Sequence, residues 1–190
     1  FRTLPAGEDS LSAYLHDGGI PEYVKYHAEI ILNTLIDDIL IRDIAIRNSI
    51  KDVNSLRALA VYLLSNVGNL VSAGKLTGMF DIKATSTFLD YFSFYQSSYL
   101  LEFVPIFNYS LKVQARNPKK VYAMDLGLVN EAAANFSDAT GHKLENLIFL
   151  HLRRQPGSIC YYKDKGECYF IVSEKGKVCR AVQVLSLIHI

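Results

Sequence analysis

Asn117-Pro118-Lys119-Lys120-Val121-Tyr122-Ala123-Met124-Asp125 closes the stretch, Leu56 to Asp125, whose reading decides the fold. Pro118 cannot continue a helix, and the β-branched and aromatic residues behind it suit a strand around Lys120 to Ala123. Leu100–Val104 and Tyr109–Val113 read as two further strands, and Arg116-Asn117-Pro118 as the turn before the last one. Upstream, Ala84 to Ser97 reads as a helix in which Phe88, Phe92, Tyr95 and Tyr99 recur at spacings of four, three and four. Ser72 caps a shorter helix carrying Leu76, Met79 and Phe80, and Asp81-Ile82-Lys83 turns the chain. The helix before it, about Ser55 to Asn66, has one apolar face of Leu56, Leu59, Ala60, Leu63 and Leu64, with Gly68 just past its end. Three helices with short turns and a basic hairpin predict a winged helix-turn-helix over residues 55–125.

The flanks follow. Residues 1–21 read as loop and short helix, ending in the turn Gly18-Gly19-Ile20-Pro21. Glu22 to about Asn48 is helical, with a kink or break allowed, so residues 1–54 form a helical segment. Residues 125–140 are helical or irregular. From Gly141 a new unit begins: a helix over His142–Arg154, ended by Pro156-Gly157, then strands at Ser158–Tyr162, Glu167–Val172 and Val178–Val184. The fold class is therefore α+β.

Composition bounds the function. Half of the 190 residues are hydrophobic, enough for a real core, and the net charge is +1, so any attraction to nucleic acid must be local. The longest apolar stretch, Ile30 to Ile46, is interrupted by Asp37, Asp38, Arg42 and Asp43, which predicts no membrane span; together with the lack of a signal peptide this predicts a cytoplasmic protein. Cys160, Cys168 and Cys179 lack the close pairing of a zinc site and read as reduced cysteines in strands. The scattered histidines give neither a metal cluster nor a nucleophilic relay.

Two constellations could carry chemistry. The first is a DNA-binding surface: Lys83, Thr85 and Ser86 at the start of the aromatic helix, with Lys112, Arg116, Lys119 and Lys120 in the wing. The helix itself is apolar and poor in cations, which equally suits packing against a partner; the wing equally suits a solvated hairpin tip. The second is nuclease-like. A restriction-endonuclease-like core needs a Glu on its first helix, an acid on a strand and Glu/Gln-x-Lys on the next, to hold Mg²⁺ and activate water. Glu145, Glu167 and Gln183 occupy such positions, but Tyr169 stands at the acidic position and Leu185 at the lysine. Residues 126–184 thus read as a truncated nuclease-like unit with a degenerate site, no catalytic residues and no metal. No Gly-x-x-x-x-Gly-Lys-[Ser/Thr] phosphate loop is present.

Taken in order, Gly18-Gly19-Ile20-Pro21-Glu22, Ile39 to Ile44, Leu63 to Gly68, Tyr99-Leu100-Leu101, Asn117 to Gly127, Gly141-His142-Lys143-Leu144-Glu145-Asn146 and Val182-Gln183-Val184 resemble prokaryotic P-loop ATPases of the AAA superfamily, in their C-terminal portion. The Asn-Pro-Lys-Lys-Val-Tyr run and the Gly-x-x-Leu-Glu-Asn motif are the most specific parts. The resemblance implies a nuclease-like C-terminal domain and an N-terminal ATPase domain, expected before Phe1, that would bind ATP and Mg²⁺; this chain by itself needs no cofactor. The family pattern Glu-x-Asp-Phe reads Glu167-Cys168-Tyr169-Phe170 here. Residues 185–190 depart from the pattern and read as a non-native tail.

The expected function is a DNA- or partner-binding module of an AAA-type ATPase, not itself an enzyme. Its partners would be DNA and its own ATPase domain, and an oligomer is compatible with it. The alternative is a free-standing winged-helix transcriptional regulator.

Overall fold

The computed structural model describes residues 8–132, 140–164 and 167–184, and its class is α+β. Helices α1 (Glu8–Asp17), α2 (Pro21–Tyr26) and α3 (Glu29–Asp38) open the chain. The expected long helix is broken at His27, which takes a left-handed φ of 49° between α2 and α3. After α3 the helix widens into a π segment, Ile39–Ile46. Its buried residues are Ile39, Leu40, Ile44 and Ala45, two pairs five apart, a spacing that the i→i+5 turn places on one face.

The central unit follows as α4 (Val53–Leu64), β1 (Leu70–Val71), α5 (Ala73–Leu76), α6 (Thr85–Ser97), β2 (Leu101–Val104), α7 (Leu111–Arg116) and β3 (Lys119–Ala123). Asp52 caps α4, accepting from the Ser55 amide at 3.0 Å and from its hydroxyl at 2.5 Å. The strands form one antiparallel sheet in the order β1-β3-β2. The unit thus runs helix, short strand, two helices and two further strands, with the first strand paired to the last. Three elements differ from the sequence expectation: β1 is not among the expected strands, α5 ends at Leu76 before Met79 and Phe80, and the second expected wing strand is absent. Tyr109–Val113 is not a strand, because Leu111–Arg116 closes into α7. Local polar contacts favour that turn: Asn108 Oδ1 accepts from the Ser110 amide at 2.8 Å, and Gln114 Nε2 donates to the Asn108 carbonyl at 2.6 Å.

α8 (Leu126–Ala132) then packs back onto α1, α3 and α4, and its Leu126, Leu128 and Val129 join the same core as the central unit and α3. Residues 8–54 and 126–132 are thus not separate from 55–125 in packing. Helix α9 (Thr140–Arg153) leads into a second antiparallel sheet of β4 (Ser158–Asp164), β5 (Glu167–Glu174) and β6 (Lys177–Gln183), in that order.

β3 is the seam between two cores. Val121 and Ala123 face the helical core with Leu101 and Phe103. Lys120 and Tyr122, one residue out of phase, face α9 and the second sheet. There Tyr122 stacks on Phe149 of α9 at 4.5 Å, and both rings lie against Phe170 of β5. A further join runs from the start of the wing: the Tyr161 amide donates to the Pro105 carbonyl at 2.9 Å, and the Phe107 amide to the Tyr161 carbonyl at 2.7 Å.

The glycine turn has a specific task. Asp125 Oδ2 accepts from the Gly19 amide and Oδ1 from the Gly127 amide, each at 2.7 Å. Gly18 is buried beneath them with φ +74°, and a methyl there would overlap both Asp125 Oδ1 and the Gly127 backbone. Two motifs over a hundred residues apart therefore close on each other. Burial pushes the Asp125 carboxyl above the usual carboxylate range, against the opposing pull of backbone N–H donors from Gly19, Gly127 and Leu128.

Candidate functional site

Helix α6 buries Phe88, Tyr91, Phe92 and Tyr95, at positions i, i+3, i+4 and i+7. The Tyr95 hydroxyl donates to the Leu56 carbonyl of α4 at 2.6 Å, which satisfies it inside the core. Tyr99, expected on the same face, instead lies beyond the helix with φ 56°, exposed beneath the Arg153 guanidinium. The aromatic residues therefore fill the unit's own core and leave the other face open. That open face carries Thr85, Ser86, Leu89, Asp90 and Ser93, with Lys83 just before the helix.

The turn into α6 is tightly made. Phe80 and Asp81 have φ of 54° and 58°, and the Gly78 amide donates to the Ile82 carbonyl at 2.9 Å, which holds Ile82 in the core. Thr85 is positioned from the preceding helix by a 2.8 Å bond between its hydroxyl and that of Thr77. After α6 the chain reverses at Tyr99. The Leu100 amide donates to the Tyr95 carbonyl, and Phe103 stacks on Phe92 at 4.4 Å, so β2 runs back along the helix.

Of the four wing cations, Lys112 and Arg116 are exposed and Lys119 is half-buried, and none of these three makes an ion pair among the described residues. Lys120 differs. Its side chain is 7 % exposed and its ammonium is bound to Glu145 Oε1, an oxygen that also accepts from the Tyr122 hydroxyl at 2.6 Å. The expectation that Lys120 contacts DNA is corrected on this point: strand alternation turns it inward beside Tyr122, and a charge buried there needs Glu145.

The same contact answers for Glu145. Its carboxylate ties α9 to β3 and leaves Oε2 facing Gly68. The next residue completes the joint. Asn146 is fully buried, and its amide accepts from the Ala123 N–H at 2.7 Å and donates to the Ala123 carbonyl at 3.0 Å. β1 is too short to reach Ala123. The Gly68 amide and the Asn69 carbonyl serve Val121 on that side of β3, and the Asn146 side chain serves Ala123 as a strand would. The Glu-Asn motif on α9 and the Lys-Lys-Val-Tyr-Ala run on β3 thus recognise each other. Sequence reasoning singled out both and missed that they form one joint; the signal was the alternation that places Lys120 and Tyr122 on one face.

Gln183 lies on edge strand β6, opposite Tyr169 in register. Its neighbour Val182 packs into the second core, so Gln183 faces away from that core and from Glu145. The side chains of Glu167, Cys168 and Tyr169, and residues 185–190, lie outside what is described. Among the described residues, no group of three His, Cys, Asp or Glu side chains could hold a metal ion. Cys160 is buried, which pushes its thiol up, and Cys179 is exposed. No described helix is long and apolar enough to cross a membrane.

Residues 8–140 match a family model described as Domain of unknown function (DUF8612). The chain belongs to this family. The DUF8612 match covers the helical segment, the central unit and α8, and it stops at the first residue of α9. The chain is also similar to an "Uncharacterized protein" of Haemophilus influenzae, 26 % identical over 175 residues, which are 88 % of this chain and 44 % of that protein. It is similar to "Uncharacterized protein MJ1544" of Methanocaldococcus jannaschii, 29 % identical over 153 residues, 76 % of this chain and 34 % of that protein. The chain thus spans less than half the length of each relative. No solved structure matches it.

Proposed function

We propose that this chain is the nucleic-acid-binding portion of a larger AAA-type ATPase, and that it binds duplex DNA through the phosphate backbone. The observation that carries the reading is the open end of the central unit. Lys83 and Ser86 at the start of α6 and Lys112, Arg116 and Lys119 in the wing supply exposed or half-buried cations and a hydroxyl, beside a Thr85 hydroxyl held in place by Thr77. The outer face of α6 has small hydroxyls and one acid and no Arg, Asn or Gln to read base edges, so binding is nearly sequence-independent. The nuclease-like unit is a scaffold: Glu145 holds α9 on β3, and Gln183 faces elsewhere. The ATPase part of the reading rests on the resemblance of the sequence motifs. The relatives' greater length, more than half of it outside the matched segment, leaves room for such a domain and favours this reading over a free-standing regulator.

Titration of a fluorescent 20-base-pair duplex at low salt tests the proposal. One phosphate neutralised by each of Lys83, Lys112, Arg116 and Lys119 gives a log–log salt slope of about −3.6. Lys112→Ala with Arg116→Ala flattens it by about 1.8, whereas Lys120→Met leaves it unchanged. Absence of binding at low salt, or a slope indifferent to the wing cations, refutes it.

A further inference from the structure

The wing carries more than charge. Tyr109 is 84 % exposed and Leu111 78 %, the two most exposed large hydrophobic side chains of the described residues. Neither is loosely hung. Tyr109 stands between Asn108 and Ser110, which the Asn108 side chain ties together, and the edge of the Phe107 ring meets it at 5.5 Å. Phe107 is in turn fixed to the second sheet by the hydrogen bond its amide donates to the Tyr161 carbonyl. Leu111 opens α7, whose exposed side is Leu111, Lys112, Ala115 and Arg116, while Val113 and Gln114 turn inward. One face of this turn thus sets an apolar pair beside a cationic pair, at i and i+4. No acid occurs between Phe103 and Met124.

We infer that the wing tip takes an unpaired nucleobase: Tyr109 stacks on the base, Leu111 packs at its edge, and Lys112 and Arg116 hold the flanking phosphates. The ligand class is a duplex with a single-stranded extension or frayed end. The inference rests on the DNA-binding reading above and deepens it. Charge complementarity selects the occupant, since an acid-free stretch with exposed cations around a flat ring fits a polyanion whose unpaired units each present a π-face. Water-exposed apolar area at a rigid tip is costly to keep, and stacking on a base removes it from water without requiring sequence readout. An anionic membrane is a poorer fit, because α7 is six residues long and offers one leucine where interfacial helices present a continuous apolar face.

The test uses the 190-residue chain and three probes of equal label: a blunt 20-base-pair duplex, the same duplex with a ten-nucleotide oligo-dT extension, and that extended duplex with 2-aminopurine at the first unpaired position. The expected result is binding of the extended duplex about tenfold tighter than the blunt one, the size of one stacked base, with quenching of the 2-aminopurine. Tyr109→Ala removes both the preference and the quenching and leaves blunt-duplex affinity within about twofold, since its backbone contacts are untouched; Tyr109→Phe keeps both. Equal affinity for blunt and extended duplexes in the unsubstituted chain overturns the inference while the backbone-binding reading stands. Failure to bind any of the three overturns both. Tyr109-dependent binding to phosphatidylserine vesicles without a preference among the DNA probes assigns the tip to a membrane surface and overturns it as well.

Discussion

Replacing Asn146 by Ala removes the side chain that serves both backbone groups of Ala123 on the open side of β3. The Ala123 N–H and carbonyl, bonded at 2.7 and 3.0 Å, lie in a fully buried site where water has no ready access. Each unsatisfied buried group costs about 1–3 kcal/mol, and truncating the side chain leaves a small cavity besides. A loss of about 3 kcal/mol is the central expectation, and with a urea slope of about 2 kcal/mol per molar it lowers the unfolding midpoint by about 1.5 M. Asn146→Leu fills the space and should recover little, because the missing term is hydrogen bonding and not volume. Urea titration followed by far-ultraviolet circular dichroism measures the midpoint, and hydrogen exchange reads the Ala123 amide directly. That amide should exchange slowly in the unsubstituted protein and lose protection in Asn146→Ala before the rest of β3 does. If Asn146→Ala and Asn146→Leu both stay within about 0.5 kcal/mol of the parent, or if the leucine restores full stability, the side chain is not acting as a surrogate strand.

Other outcomes follow from the same geometry. Glu145→Ala strands a buried ammonium and should cost about 3–5 kcal/mol, whereas Lys120→Met combined with Glu145→Leu should return close to parental stability; equal losses in the single and double variants would restore a chemical role to Glu145. Gly18→Ala should lower stability by at least about 2 kcal/mol, because the residue has positive φ and its methyl overlaps the Asp125–Gly127 contact; a melting temperature within a degree of the parent contradicts this. Asp125→Ala leaves the Gly19, Gly127 and Leu128 N–H donors without their acceptor and should destabilise by about 1–3 kcal/mol. Since burial raises the folded carboxyl above 3.8, the folded state holds that proton more tightly than the unfolded one. Its contribution is therefore fully present below pH 3.8 and lost as pH rises through the raised value, so the deficit of Asp125→Ala should shrink over that window in paired urea titrations. Asp52 has the opposite sign: the Ser55 hydroxyl and amide hold its carboxyl below the usual range, so its capping contribution should fade as pH falls below 3.8 and be absent in Asp52→Ala, read by thermal melts across acid pH.

The parts of this fold legible in the sequence are those written in local periodicity. Leu56, Leu59, Ala60, Leu63 and Leu64 on α4 and Phe88, Phe92 and Tyr95 on α6 all reach the core, and β2 to β6 lie within a few residues of their expected places, whereas the two-residue β1 is too short to leave an alternation in the sequence. Two errors were local signals of the wrong kind. Tyr109 to Val113 alternates like a strand, yet Asn108 and Gln114 close a helical turn over it, and no pattern rule weighs those two polar contacts. Residues 39–46 follow a five-residue spacing that a search at 3.6 does not register. Lys120 was misplaced for a different reason. Its partner is 25 residues away on another element, and a lysine next to another lysine in a basic hairpin looks solvated until Glu145 is placed beside it. Glu145 was read through its position on a helix as a metal-site remnant, and its tie to Lys120 and Tyr122 became visible only in three dimensions.

The DUF8612 match ends at residue 140, and the side chains that complete β3 begin at 145. The segment recognisable by descent is therefore not one that balances its own charges and hydrogen bonds. Any protein that carries residues like Lys120, Tyr122 and Ala123 in this segment must bring from outside it an acid to meet the ammonium and an amide, or a strand edge, to meet the backbone. What lies downstream can vary in its chemistry so long as it delivers those two groups to that one strand, and an excised 8–140 piece would expose a cation and a bare strand edge to whatever chain next comes along.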